Sequence, residues 1–265
     1  MGAEVIGIDL SAPLEDAIIA ELRNVWLEHQ MIVIRGQDLT PAQQLAFAKA
    51  IGEPDIYPFL TGLEGFPMIT EVLKKENETV NFGGVWHSDT TYQTCPPMAT
   101  LLYAKDLPPL GGDTLFANQY EAFAQLSAPL RRVLEGLRAI NAAGKKRVAA
   151  TRSERLKDAD SGVNPDNLSG IHPVVRTHPE TGRKALFVNV AHTVAFEGWS
   201  DEESRGLLEY LFEHQISPEF QCRLEWRLGD VAFWDNRCVQ HYPLNDYQGY
   251  RRLLHRITLK GDIPK

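Results

Sequence analysis

The sequence predicts a mainly β protein with flanking α-helices, its short strands closed into a jelly-roll core and its helices set outside that core. Three observations predict this. Short apolar runs such as Met31–Ile34, Met98 to Ala104 and Val231 to Trp234 recur along the chain and are punctuated by Gly and Pro. Helical periodicity is confined to a few segments, each opened by a capping residue. The chain of 265 residues carries no repeat or low-complexity segment, and all-β cores of this size are common as one domain, so residues 1–265 are expected to form a single domain.

The elements follow in order. Ser11 is expected to cap a helix entered through Pro13, with Leu14, Ile18, Ile19, Leu22, Trp26 and Leu27 at helical spacing. Met31–Ile34 reads as a buried strand. Thr40, Pro41 and Gln43 spell a capping box with proline at the first helical position, and Gly52 stops that helix. Met68 to Leu73 and Met98 to Ala104 read as strands. Pro108-Pro109 and Gly111-Gly112 then turn the chain back into Thr114-Leu115-Phe116. Residues 117–140 read as helical, with Phe123, Leu126, Leu130, Val133 and Leu137 towards one face. Residues 145–169 turn polar and are expected to be a solvated surface loop rather than a lid over substrate. Leu186-Phe187-Val188 is strand-like. Ser200 and Glu203 form a second capping box, before a helix with Leu207, Leu208, Leu211 and Phe212 inside. Arg223 to Leu228 alternates like a half-exposed strand, and Gly229-Asp230 turns it into Val231 to Trp234.

A net charge of −8 argues against a nucleic-acid partner, whose surface is usually met by basic residues. That charge also repels small anions, so any anion site must be built from local arginines. Cys95, Cys222 and Cys238 are odd in number and unrelated in spacing, which suits neither a disulfide framework nor a zinc motif. A reduced, cytoplasmic setting is expected, with Cys238 a small buried thiol. No signal peptide and no membrane-spanning run is expected.

The chemistry sits in two stretches: Trp86-His87-Ser88-Asp89, and Gly229 to Arg237 with His241 just beyond. Two imidazoles and one carboxylate are the donor set of a facial site for non-haem iron(II), which leaves positions open for a chelating co-substrate and dioxygen. On a strand, His87 and Asp89 would project to one face and reach one ion. His-x-Asp by itself is a weak signal, because a half-buried histidine is more often hydrogen-bonded than metal-bound. Its company strengthens it: Gly111-Gly112-Asp113-Thr114 follows the first stretch, and Arg251-Arg252-Leu253-Leu254-His255-Arg256 follows the second.

These elements, in this order and spanning Gly2 to Arg256, resemble the taurine/2,4-dichlorophenoxyacetate dioxygenase family of iron(II)- and 2-oxoglutarate-dependent enzymes. Pro96-Pro97, Leu186-Phe187-Val188-Asn189 and Trp234-Asp235-Asn236-Arg237 add to the likeness. The resemblance implies a double-stranded β-helix of the cupin-like, jelly-roll kind. It implies iron(II) on His87, Asp89 and His241, and the co-substrates dioxygen and 2-oxoglutarate, the latter's distal carboxylate held by Arg252 and Thr114. A planar guanidinium binds a carboxylate at two points and a hydroxyl adds a third donor, so the assignment is physically sound. Family members are often dimers or tetramers, so a homo-oligomer is among the expected arrangements.

Strand alternation puts Arg252, Leu254 and Arg256 on one face and Arg251, Leu253 and His255 on the other. The resemblance places Arg256 against the anionic group of a small organic substrate: a sulfonate, sulfate ester, aryloxyalkanoate or carboxylate. The alternative for Arg256 is a buried salt bridge. Tyr57 stands where the taurine enzyme has a substrate-binding histidine, Gly83 where it has an asparagine, and His192 where it has a pocket phenylalanine. Tyr57 and His192 are therefore expected to line the substrate pocket, and taurine itself is not the expected substrate. Trp234 is expected to pack beside the metal. The remaining histidines, His29, His172, His178, His214 and His255, are read as surface or packing residues. The expected chemistry is hydroxylation, with 2-oxoglutarate converted to succinate and carbon dioxide and C–S or C–O cleavage a further step. Two other classes fit parts of the pattern: a zinc-dependent hydrolase, and a non-catalytic jelly-roll binding protein.

Overall fold

The structure is a computed structural model that describes residues 1–57, 59–144 and 168–265. Its strands, in chain order, are β1 Ala3–Val5, β2 Met31–Ile34, β3 Pro54–Asp55, β4 Gly62–Leu63, β5 Phe66–Lys74, β6 Ala99–Asp106, β7 Thr114–Asn118, β8 Arg138–Ala142, β9 Ser169–Pro173, β10 Val175–Thr177, β11 Lys184–Leu186, β12 Thr193–Phe196, β13 Gln221–Leu224, β14 Val231–Asp235, β15 Val239–Pro243 and β16 Arg252–Leu259. The helices are α1 Asp16–His29, α2 Pro41–Ile51, α3 Gln119–Ala124, α4 Ala128–Glu135 and α5 Asp201–His214.

Eight strands form the main sheet in the order β1-β2-β14-β6-β16-β5-β4, with β3 on β16. Alternation divides its side chains between two layers. Ile32, Ile34, Leu101, Tyr103, Val231, Phe233, Ile257 and Leu259 pack outward under Leu22 and Trp26 of α1 and Phe47, Ala48 and Ile51 of α2. Met31, Val33, Leu102, Ala104, Ala232, Trp234 and Leu254 point the other way, onto Phe116, Leu224 and Val239 of the smaller sheet β13-β7-β15. The space between these two sheets holds the candidate site. A third cluster joins α3, α4 and α5 to the outlying strands β8, β10, β11 and β12.

The two capping boxes form as expected. Thr40 accepts from the Gln43 backbone, Ser200 accepts from that of Glu203, and each N3 side chain returns the bond. Other expectations are corrected. Helix α1 begins at Asp16 rather than near Ser11, whose backbone N–H instead bonds Oδ1 of Asp9 at 2.8 Å. Pro13 disfavours helical backbone at the residue before it, and Glu15 is still extended at ψ 148°. Residues 117–140 are not one helix. Ala117 and Asn118 end β7, Ser127 restarts the chain as α4, and Arg138 opens β8, which leaves Val133 exposed. β13 stops at Leu224 instead of running on to Leu228, because Asp230 accepts the Arg227 backbone N–H at 2.7 Å and closes a turn. Strand β11 ends at Leu186. The expected loop at 145–169 lies largely outside the described residues. Among the described residues, no helix is long and apolar enough to cross a membrane.

Candidate active site

His87 and His241 face each other across an isolated antiparallel bridge, exchanging backbone hydrogen bonds of 3.1 and 2.8 Å. Their rings lie 4.1 Å apart, and ligand atoms of His87, Asp89 and His241 all come within 4.8 Å of one another. Strand alternation is not the cause of that convergence. Asp89 belongs to a turn that continues into Thr90 at φ +43°, and this turn brings its carboxylate back beside His87, with Nε2 and Oδ1 3.7 Å apart.

Each donor is held by its surroundings. His87 donates from Nδ1 to the Val85 carbonyl at 2.7 Å, which fixes the tautomer and leaves the Nε2 lone pair for a metal. Gly83, at φ +70°, makes room for that ring, because a Cβ there would lie 3.0 Å from Cε1 of His87. Asp89 accepts from the Thr100 hydroxyl through Oδ2, and Arg256 lies 2.9 Å from Oδ1. Thr100 in turn accepts from Asn236 at 2.8 Å, and Asn236 accepts from the Trp234 indole at 3.0 Å. Burial opposes ionisation of Asp89, yet Arg256, the two imidazoles and the Thr100 hydroxyl together hold it well below the usual carboxylate range. Burial, and then the neighbouring His87, push His241 well below the ordinary histidine value. An ionised carboxylate and neutral imidazole nitrogen are the protonation states a divalent metal requires, so the donor set fits iron(II).

A second group lies along the same cavity. Thr114 begins β7 and Arg252 begins β16, and both are buried. The Trp226 indole donates to Oγ1 of Thr114 at 3.0 Å, which leaves the threonine's own hydrogen available for an anion. Arg252 sits over the Trp226 ring at 5.7 Å, with Nε and Nη2 lacking any hydrogen-bond partner. A Cβ at Gly112, φ +74°, would come within 3.2 Å of Cδ of Arg252. His87, Asp89, Thr114, His241, Arg252 and Arg256 all line this one cavity, with Trp234 packed 4.7 Å from the His241 ring.

Arg256 forms the buried ion pair of one reading, with Asp89, and it also lines the cavity. Tyr57 and His192, expected in the substrate pocket, are not among the described residues that line this cavity and lie just behind its wall. Tyr57 is buried with its ring 4.6 Å under the Arg256 guanidinium. His192 is fully buried behind His87, ring to ring at 6.4 Å, and takes part in a network with Thr91 and Asn189. The residues that sequence reasoning missed are Thr100, Asn236 and Trp226. Asn236 was legible inside Trp234-Asp235-Asn236-Arg237, whereas Thr100 looked like one polar residue in an apolar strand. His178 proves to be more than packing. It bonds Asp235 at 2.9 Å, and with Cys238 these two form a second close trio of metal-type donors. Asp235 there accepts the backbone, Nε and Nη2 of Arg237 as well, so its carboxylate is saturated and the trio is structural.

Two packed sheets enclosing an N,N,O donor set and a buried arginine are an arrangement suited to a non-haem iron, 2-oxo-acid-dependent oxygenase. A profile of the Taurine catabolism dioxygenase TauD, TfdA family matches residues 1–258, and the chain belongs to that family. It is an alpha-ketoglutarate (2-oxoglutarate)-dependent dioxygenase using iron(II), 2-oxoglutarate and dioxygen, and it has the family's jelly-roll core. An alkylsulfatase of Acinetobacter baylyi is 33% identical over 99% of this chain and 83% of its own length. An alpha-ketoglutarate-dependent 2,4-dichlorophenoxyacetate dioxygenase of Cupriavidus pinatubonensis is 33% identical over 98% of this chain and 94% of its own. The crystal structure of a taurine dioxygenase from Burkholderia xenovorans superposes with a TM-score of 0.85 at 35% identity, covering 100% of this chain and 87% of that one.

Proposed function

We propose that His87, Asp89 and His241 hold the iron(II), that Arg252 and Thr114 hold the distal carboxylate of 2-oxoglutarate, and that Arg256 meets the anionic group of a small organic substrate. Residues 1–265 act in this reading as one dioxygenase domain. The observation that carries it is the pairing, in one cavity, of an N,N,O donor set with a buried arginine that forms no ion pair among the described residues. A buried guanidinium without a carboxylate is costly unless a ligand supplies one. A zinc hydrolase or a plain binding protein has no use for such an anchor beside a metal triad.

When bound, the metal supplies oxygen activation coupled to oxidative decarboxylation of 2-oxoglutarate, giving succinate, carbon dioxide and one oxygen atom for a substrate carbon. The chain's own residues supply position. Arg252 and Thr114 fix the co-substrate from its far end, Phe82, Leu102 and Val72 supply apolar wall, and Arg256 sets which carbon of an anionic substrate lies before the metal. The named relatives act on alkyl sulfates and 2,4-dichlorophenoxyacetate, and this cavity suits the same class: sulfate esters, sulfonates, aryloxyalkanoates and small carboxylates. The test is a screen of those four classes for substrate-dependent succinate formation under air. At least one class should stimulate turnover in the wild type and none in Asp89→Ala. Stimulation that survives Asp89→Ala unchanged would sink the site assignment.

A further inference from the structure

Lys74 is the last residue of β5 and is 3% exposed, with its side chain in the wall of the active-site cavity. Its Nζ has no hydrogen-bond partner and lies 4.4 Å over the ring of Tyr247. In the antiparallel register of β5 and β16, Lys74 stands directly opposite Arg252. Opposed residues of such a pair share a face, with Cβ atoms about 4.5–5.5 Å apart, and like charges there repel. Two buried basic side chains therefore rise from paired positions of one sheet face and line the same cavity. Among the described residues, neither forms an ion pair with a carboxylate. A structural role would give the lysine an acid or a route to water. This one has an aromatic face and the open cavity.

The geometry points to Lys74 as a further anchor for the co-substrate, closing with Arg252 and Thr114 on the distal carboxylate of 2-oxoglutarate. One carboxylate has four lone-pair directions, enough to accept the Arg252 fork, the threonine hydroxyl and one ammonium together. The anion also cancels the repulsion between the two cations, so binding relieves a strain built into the ligand-free protein. Selectivity follows: a 2-oxo acid without the distal carboxylate leaves both cations unmatched. The inference rests on the function proposed above and deepens it.

The test uses Mn(II)-loaded protein titrated calorimetrically with N-oxalylglycine, the unreactive isostere of 2-oxoglutarate, and with 2-oxopentanoate, which lacks the distal carboxylate. Lys74→Met should weaken N-oxalylglycine at least about tenfold, the size of a charge-assisted contact, and leave 2-oxopentanoate within about twofold. The melting temperature of the ligand-free variant should rise, since the repulsion is gone, and the rise caused by saturating N-oxalylglycine should shrink. Lys74→Gln, which keeps a polar terminus, guards against a packing defect and should show the same selectivity. Unchanged N-oxalylglycine affinity in both variants, with Arg252→Ala still weakened, would overturn the role of Lys74 and leave the proposed function standing. Unchanged affinity in all three variants would overturn the site reading itself. Equal weakening of both ligands would make Lys74 a packing residue.

Discussion

The Arg256 guanidinium lies 2.9 Å from Oδ1 of Asp89, so the residue proposed to meet the substrate also touches a proposed metal ligand. Both are nearly inaccessible, and each is the nearest opposite charge of the other. Iron(II) at the triad would take over the neutralisation of Asp89 and release Arg256 towards an anion in the cavity. Under the proposed roles, metal loading and substrate anchoring would be coupled through one carboxylate.

Arg256→Ala should cost the metal-free protein about 3–5 kcal/mol, the usual loss when one partner of a buried ion pair is removed. The metal-loaded variant should lose less, because the ion then balances Asp89. In turnover, anionic substrates should weaken more than neutral analogues, and succinate formation uncoupled from hydroxylation should rise. Thermal melts with and without metal, paired with a coupling ratio, check this. Equal losses for anionic and neutral substrates would reduce Arg256 to an ion-pair residue.

Thr100→Val keeps the shape of the side chain and removes the donor to Oδ2 of Asp89. Partners that orient a metal ligand typically contribute about 10–100-fold in metal affinity, so iron(II) or Mn(II) binding should weaken by that factor. A competition titration against a chelator measures it, and wild-type affinity would show that Arg256 and the turn suffice to aim Asp89.

Trp226→Phe deletes the indole N–H that fixes the Thr114 hydroxyl but retains a ring under Arg252. A neutral hydrogen bond contributes about 0.5–1.5 kcal/mol, so KM for 2-oxoglutarate should rise roughly two- to tenfold with kcat little changed. A fall confined to kcat would place Trp226 elsewhere in the reaction.

The buried group of Asp235, Arg237 and His178 is expected to contribute to acid stability. Burial works against the Asp235 charge, but the Arg237 guanidinium, its hydrogen bonds and His178 hold the carboxyl well below the usual range. A folded-state value below the unfolded one, about 3.9, gives stability that is fully present above about pH 4 and is lost as the pH falls through the folded value. Asp235→Asn should cost about 3–5 kcal/mol at pH 7, because it leaves Arg237 buried with only Glu180. Its melting temperature should also fall less steeply than that of the wild type below pH 4. Parallel acid limbs for the two proteins would assign the acid sensitivity to other carboxyls.

Much of the candidate site was legible in the chain because the proposed chemistry needs rare residue types in a fixed order. His87, Asp89 and His241, then Thr114, Arg252 and Arg256, could be listed before any fold was known, and both capping boxes formed as written because they are local hydrogen bonds. What the sequence misplaced were boundaries and faces. The span 117–140 carried helical periodicity, but Ser127 and Gly136 interrupt it, and pairing with β9 and β12 draws residues 138–142 into a strand. Tyr57 and His192 read as pocket residues by position alone, and only packing sets one ring beneath Arg256 and the other behind His87.

The sequence by itself determined the candidate donor atoms, the charge of the proposed anion anchors and the capping boxes, since each is a property of one residue or of a few neighbours. Only the tertiary structure decided which side chains share the cavity. The register of β5 against β16 sets Lys74 beside Arg252, residues separated by most of the chain, and the register of β14 against β6 brings Asn236 to Thr100 and so to Asp89. Register is fixed by the burial of whole sheet faces. A one-residue slip would carry every inward side chain to the other layer, so contacts between distant strands are settled by the packed core and not by any short stretch of sequence.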